Sequence, residues 1–289
     1  MMMNPVLRRE TKTTLRNWKM FAILTIYVAV VSLGAAGFIY GTMFNSYDFS
    51  FDPANMGGMY VVLCAMQMGL MLLSAPAMTA GTISGERERQ TLDLLLMTKM
   101  SSLSIVIGKL LSSMATLVLI MVATLPVFAI AFYFGGISLL SLLIMMLYIM
   151  VTACMACSLS IFFSCIFKKT VVSMVVVYLL IGGVFCSGTL ITAMLQQSLY
   201  WTMHQDYPSL AFPLTILVPN PGVGFFSLID SQLGSNIISN VIHVYKNQSA
   251  AVNTLIQHYW ILNFIFNIVI SGVFVFLSAL FINPVKKKK

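Results

Sequence analysis

Charged side chains are scarce in this chain. Of its 289 residues only 8% are Asp, Glu, Lys or Arg, while 59% are hydrophobic. A soluble domain carries about 25% charged residues because its surface faces water. The composition therefore excludes a soluble globule and predicts a surface that faces lipid, where only helices and closed barrels satisfy the backbone. The short alternating segments of a barrel are missing from the sequence, so we predict helices.

Catalytic motifs are missing as well. A Walker A loop needs the pattern Gly-x-x-x-x-Gly-Lys-Ser/Thr to hold phosphate. The tempting pair Gly108-Lys109 has Leu103 at the position of the first glycine and Leu110 at the position of the hydroxyl. Neither H-E-x-x-H nor G-x-S-x-G occurs. We therefore expect no enzymatic activity and no cofactor in this chain.

Metal and nucleic-acid sites are not favoured either. Cys154 and Cys157 have CxxC spacing, but no second pair or histidine cluster lies near them in the sequence, so we expect no metal. The formal net charge of +8 comes from basic residues next to the ends of apolar runs. Such residues anchor a helix to lipid headgroups, and we expect no binding to nucleic acid.

Charges are also lacking in the centres of the apolar runs. Ionisable groups at the membrane midplane usually mark proton or ion routes, and many secondary transporters show inverted repeats. Neither feature is visible here, which argues against a secondary transporter and leaves room for an apolar or amphipathic substrate.

Long apolar runs are what the sequence has instead. A membrane-spanning helix needs about 20 such residues. Six runs of that order occur, at 20–43, 59–83, 103–134, 139–166, 170–195 and 259–282. We predict an all-α polytopic membrane protein with six transmembrane helices, forming a single membrane domain over residues 1–289.

The basic residues indicate the orientation of these helices. With six spans, fifteen of the sixteen Lys and Arg residues fall on one side, and only Lys246 falls on the other. The positive-inside rule makes the basic side cytoplasmic. We therefore expect both termini in the cytoplasm and a multi-pass protein of the cell membrane. The first run is too long for a signal peptide, so we interpret it as a retained span.

Two segments on the basic side combine charged and apolar residues. The mixture of charged and spaced apolar residues in 1–19 predicts an amphipathic helix that lies in the membrane interface before the first span. Residues 84–100 start with the charged block Glu86, Arg87, Glu88 and Arg89, followed by apolar residues at helical spacing from Thr91, among them Leu92, Leu95 and Leu96. A short amphipathic helix of this kind lies on the membrane or docks into a partner, and its pattern does not distinguish the two.

The residues around this block resemble the type-2 ABC permease family. The stretch P-A-M-T-A-G-T-I-S-G-E-R-E-R-Q-T-L-D-L-L-L from Pro76, the later Gly108-Lys109-Leu110 and the opening of residues 4–10 are similar to that family's second span, third-span start and "elbow" leader. The resemblance implies an export permease that works with separate ATP-binding subunits, which hold ATP and Mg, and with a second permease copy or paralogue. It also implies that Glu86–Arg89 contact the ATPase and that Thr91–Leu96 form the inserted coupling helix.

Polar side chains inside the spans are candidates for a pathway or for helix packing. Gln67 lies in the second span, and Asn263, Asn267 and Ser271 repeat every four residues in the last. Amides facing lipid are costly, so this row is expected to point inward, for helix–helix hydrogen bonds or for a substrate path. Thr152, Ala156, Ser160 and Ser164 form a similar row of small residues in the fourth span, for which we favour packing.

Residues 196–258 allow two interpretations. The segment is rich in apolar residues and prolines, which fits either re-entrant half-helices or an extracellular cap. A membrane scaffold or assembly protein is one alternative function for the whole chain, and a secondary transporter is the other. The ordered block from Glu86 to Leu96 separates the permease from the scaffold, because a scaffold does not need it.

Overall fold

The computed structural model describes residues 18–45, 56–91, 101–135, 137–201, 218–234 and 258–282. All regular secondary structure in these ranges is α-helical. The helices are α1 Trp18–Asn45, α2 Met56–Thr79, α3 Ser84–Glu88, α4 Ser102–Gly135, α5 Leu139–Ile166, α6 Thr170–Trp201, α7 Pro221–Leu233 and α8 Tyr259–Ile282.

Six of these helices are long and apolar enough to cross a membrane: α1, α2, α4, α5, α6 and α8. Even α2 and α8, with 24 residues each, reach about 36 Å at 1.5 Å per residue, which exceeds the hydrocarbon core of about 30 Å. The prediction of an all-helical protein with six transmembrane helices is confirmed. The sidedness of the termini stays a prediction, and the interfacial helix expected at 1–19 lies almost wholly outside the described residues.

The described chain forms two compact units. The first contains the residues up to Tyr178 and those from Ser271 onward, and the second contains Leu179 to Ile270. The expected single membrane domain over residues 1–289 stays a prediction.

Helix α2 is the centre of the first unit, because it packs against α1, α4 and α5. Its buried side chains include Tyr60, Leu63 and Met71, each at most 1% exposed. Near the end of α2, Ile83, Val106 and Ile161 belong to one buried apolar cluster. This cluster brings the start of α3, the start of α4 and the end of α5 together.

The row of small residues in α5 lies on the buried face of that helix. Thr152, Ala156, Ser160 and Ser164 are all at most 1% exposed. Small side chains let neighbouring backbones approach closely, and the nearby Cys157 thiol lies 4.0 Å from the Ala75 carbonyl oxygen of α2. The packing interpretation of this row agrees with its position.

In the second unit, local sequence signals set both ends of α7. Asn220 is its N-cap, with Oδ1 accepting from the amides of Gly222 (2.9 Å) and Val223 (3.3 Å), and Pro221 occupies the first helical position. Gly234 ends the helix with a positive φ of 61°, a conformation that glycine adopts without steric cost. Most of 196–258 lies outside the described residues, so the re-entrant and cap arrangements both stay predictions.

The Asn220 side chain also binds α6. Its Nδ2 donates to the Val184 carbonyl at 2.6 Å, and a Cβ at Gly188, one turn further on, would overlap the Asn220 side chain. Gly188 therefore provides the space in which the N-cap residue reaches α6.

Gly188→Ala is expected to lower the midpoint of thermal unfolding in detergent, because the new methyl group displaces Asn220 from α6 and overpacking of this kind costs about 1–3 kcal/mol. Gly183→Ala is the matched control in the same helix, since nothing lies within 4 Å of its Cβ position. Its midpoint should be unchanged or slightly higher. Equal effects of the two changes would contradict this role of Gly188.

Candidate functional site

The short helix α3 starts without a cap of its own, and a side chain from α5 supplies one. Ile83, the N-cap residue, makes no side-chain capping hydrogen bond. The Ser164 hydroxyl oxygen instead accepts from the amides of Ile83 (3.1 Å) and Ser84 (2.9 Å). Ser164 donates to the Ser84 hydroxyl at 3.2 Å, which donates to the Ala80 carbonyl at 2.9 Å. Buried amides at a helix start need partners, and this serine pair satisfies them.

A buried ion pair joins α3 to α4. The Lys109 ammonium donates to Glu86 Oε1 and to the Thr82 carbonyl, both at 2.8 Å. Lys109 is 3% exposed and Glu86 is 27% exposed. The Lys109 ammonium therefore binds the turn before α3 through the Thr82 carbonyl and α3 itself through Glu86. Glu86 Oε2 is buried and has no hydrogen-bond partner among the described residues.

The next two residues of α3 bind the facing ends of α5 and α6. Arg87 Nη2 donates to the Cys165 carbonyl at 3.1 Å, one of the last carbonyls of α5. The Glu88 carboxylate accepts from the Thr170 amide (2.9 Å) and hydroxyl (2.6 Å) at the start of α6. A cation at a helix C-terminus and an anion at an N-terminus both complement the helix dipole. The hydrogen bonds from Thr170 hold the pKa of the Glu88 carboxyl below its usual range.

Helix α3 ends in a Schellman motif. Gln90 has a positive φ of 56°, its amide donates to the Arg87 carbonyl at 3.1 Å, and the Thr91 amide donates to the Glu86 carbonyl at 2.9 Å. This is the paired hydrogen-bond pattern that closes many helices, with glutamine in the place usually taken by glycine. It turns the chain away from α3 at Thr91, which is exposed. We call residues 80–91, with their partners Lys109, Ser164, Cys165 and Thr170, the α3 clamp.

The amide pair of the last span forms a separate network in the second unit. Asn263 Nδ2 donates to the carbonyls of Val218 (2.6 Å) and Asn220 (3.1 Å). This leaves Asn263 Oδ1 to accept from Asn267 Nδ2 at 2.9 Å. These donors fix the orientation of both amides. In the part of the chain that the structure describes, Asn267 Oδ1 is a buried acceptor without a partner. The inward direction predicted for this row agrees with the 0% exposure of both residues.

Two other predicted polar residues lie in the first unit. Gln67 is fully buried in α2, and neither atom of its terminal amide has a hydrogen-bond partner within the described ranges. Ser271 of α8 is buried, with its hydroxyl 3.5 Å from the Cys154 thiol of α5. That contact is the helix–helix use expected for this row. A pathway role for Gln67, Asn263, Asn267 and Ser271 stays a prediction.

A family comparison identifies the chain. The family model described as "ABC-2 family transporter protein" matches residues 4–210, a range that includes α1 to α6 and the whole α3 clamp. The chain belongs to this family. It is the membrane subunit of an ABC transporter, as the resemblance around Glu86 indicated. A search of curated proteins found no match.

In the structure, three of the predicted coupling residues bind partners within the permease itself. Glu86, Arg87 and Glu88 bind Lys109, Cys165 and Thr170 respectively. Arg89 and Thr91 are exposed. The remaining predicted coupling residues, Leu92, Leu95 and Leu96, lie outside the described residues. Contact of this block with an ATPase therefore stays a prediction, and the described part of the block holds the permease helices together.

Sequence reasoning missed the partners of the charged block. In the sequence, Lys109 fits a basic residue near a span end and a family pattern, Ser164 fits a row of packing residues, and nothing singles out Thr170. The usable signal is a lysine seven residues inside α4, because a charge inside an apolar helix requires a partner.

The two partners of the ion pair should respond unequally to replacement. Glu86→Leu removes the anionic partner of the almost fully buried Lys109 ammonium, and loss of one partner of a buried pair costs about 3–5 kcal/mol. Lys109→Leu leaves Glu86, whose side chain is 27% exposed, so its cost should be smaller. The double variant should be more stable than Glu86→Leu alone. Thermal unfolding of the purified permease in detergent measures all three, and additive losses would contradict the pairing.

Proposed function

We propose that this permease forms half of an export pathway in the cell membrane, together with a second copy or a related permease. ATP and Mg are bound by separate ATP-binding subunits on the cytoplasmic side, which residues 86–100 contact. Family membership supports the assignment to an ABC transporter. The positive-inside distribution of Lys and Arg supports a cytoplasmic position for the α3 clamp.

The observation that carries the proposal is that residues 80–91 of the α3 clamp bind three different helices. Lys109 belongs to α4, Ser164 and Cys165 to α5, and Thr170 to α6. A partner that moves the segment after Thr91 acts on all three helix ends, in addition to α2, which leads directly into the clamp. Transmission through these contacts allows closure of a distant nucleotide site to shift the populations of two membrane conformations.

The α3 clamp also explains how charged residues occur at this end of an apolar bundle. Glu86, Arg87 and Glu88 bind partners within the permease, and these contacts stiffen the α3 clamp. Residues 92–100 then supply the leucines that bury against the partner, in the way that apolar anchors carry most of the energy of an interface. In this arrangement the charged block sets the direction of the following segment.

Replacing residues 92–100 by a Gly/Ser segment of equal length is the direct test. The variant should insert into membranes but lose co-purification with the co-expressed ATP-binding subunits of its own genome, and lose ATP-dependent transport in proteoliposomes. The same replacement at residues 46–54, between α1 and α2, should leave association unchanged. Retained association and transport in the first variant, or labelling that places residues 92–100 outside the cell, would refute the proposed coupling role.

A further inference from the structure

The contacts of the α3 clamp differ in their access to water. The Ser164 hydroxyl and the amides it binds are buried, with Ile83, Ser84 and Ser164 each at 0% exposure. The ammonium of Lys109 is nearly as deep. In contrast, Glu88 lies on the surface, and its two hydrogen bonds to Thr170 are exposed.

This difference decides which contact breaks most readily. Separating α3 from α4 or α5 would take Glu86 from a buried ammonium or the Ser164 hydroxyl from buried amides, and a buried group that loses its hydrogen bond pays a desolvation penalty. Separating Glu88 from Thr170 exchanges hydrogen bonds between solvent-accessible groups for hydrogen bonds to water, which costs less free energy than leaving buried groups unsatisfied.

The surface beneath Thr170 also permits movement. A Cβ at Gly81 would lie 2.9 Å from the Thr170 methyl group, and one at Gly85 would lie 3.6 Å from it. Because both residues are glycines, the methyl group rests on backbone with no side chain to interlock with it. A larger residue at Gly81 would push the start of α6 away from α3.

A second contact holds α6 two turns further on. The Tyr178 hydroxyl donates to the Leu73 carbonyl of α2 at 2.6 Å, about 12 Å along the helix from Thr170. A tilt of α6 about this point would separate Thr170 from Glu88 while the Tyr178 contact is kept. Ser173 and Val177, between the two contacts, are buried, so the exposed contact of Thr170 is the part of α6 that opens with the least loss of packing.

We infer that Glu88 and Thr170 are positioning residues that form an exchangeable contact, which opens and closes during the transport cycle. In this cycle α3, α4 and α5 move as one body, and the start of α6 separates from them. The inference rests on the proposed function, since the ATP-binding subunits supply the movement.

Paired cysteines test this contact in the complex with the ATP-binding subunits. In a background with the five native cysteines replaced by alanine, Glu88→Cys with Thr170→Cys is bridged by a short thiol-specific linker. The matched pair, Ser84→Cys with Ser164→Cys, joins directly by oxidation, because the two hydroxyl oxygens lie 3.2 Å apart. Each yield is measured without nucleotide and with a non-hydrolysable ATP analogue.

The analogue should change the yield at 88/170 by about fivefold or more, the lower end of typical coupling between sites, and leave the yield at 84/164 unchanged. Equal responses of the two pairs, or a constant yield at 88/170, overturn the inference. ATP hydrolysis by the same preparations separates the two hypotheses. If a complex hydrolyses ATP but shows a constant 88/170 yield, only the exchangeable contact fails, whereas if no complex forms, the proposed function fails.

Substitutions at Thr170 provide an independent measurement. Thr170→Val keeps the shape of the side chain but removes the hydroxyl donor, and Thr170→Ser keeps the donor. The valine variant should transport less substrate per ATP hydrolysed than wild type, and the serine variant should retain the wild-type ratio. A merely structural role would lower the amount of folded complex and leave this ratio intact, which would count against the inference.

Discussion

The Lys109 ammonium lies almost completely out of water, and a charge in that position is tolerated only with a partner of opposite sign. Glu86 and the Thr82 carbonyl provide that partner. Because both lie in the connection between α2 and α4, the pairing determines where this connection runs. The turn before α3 must stay against α4, and α3 must then place its next residues beside the ends of α5 and α6.

The rest of the α3 clamp follows from that placement. Arg87 faces the carbonyl end of α5 and Glu88 faces the amide end of α6, so one turn of helix supplies each neighbour with the charge that its dipole favours. Ser164 supplies the cap that a helix of five residues lacks. A short charged helix, unstable alone, is in this way held by the ends of three longer helices.

Buried polar groups differ in how they are satisfied. Asn263 and Asn220 satisfy backbone carbonyls and amides around α7, so their amides build structure. Within the described ranges, the Gln67 amide and Asn267 Oδ1 are buried without hydrogen-bond partners. A pathway role for these two residues stays a prediction from their positions in the spans.

The sequence alone determined the six spans, because length and apolarity suffice to identify helices in lipid. The runs at 139–166 and 259–282 coincide with α5 and α8, and the residues around Glu86 indicated the family. The tertiary structure decided which faces of those helices are buried and what the charged block contacts. Spans that are hydrophobic on all sides carry little periodic signal, and the partners of Glu86, Arg87 and Glu88 lie 23, 78 and 82 residues away. Such pairings depend on which helix ends meet, and only packing in three dimensions determines that.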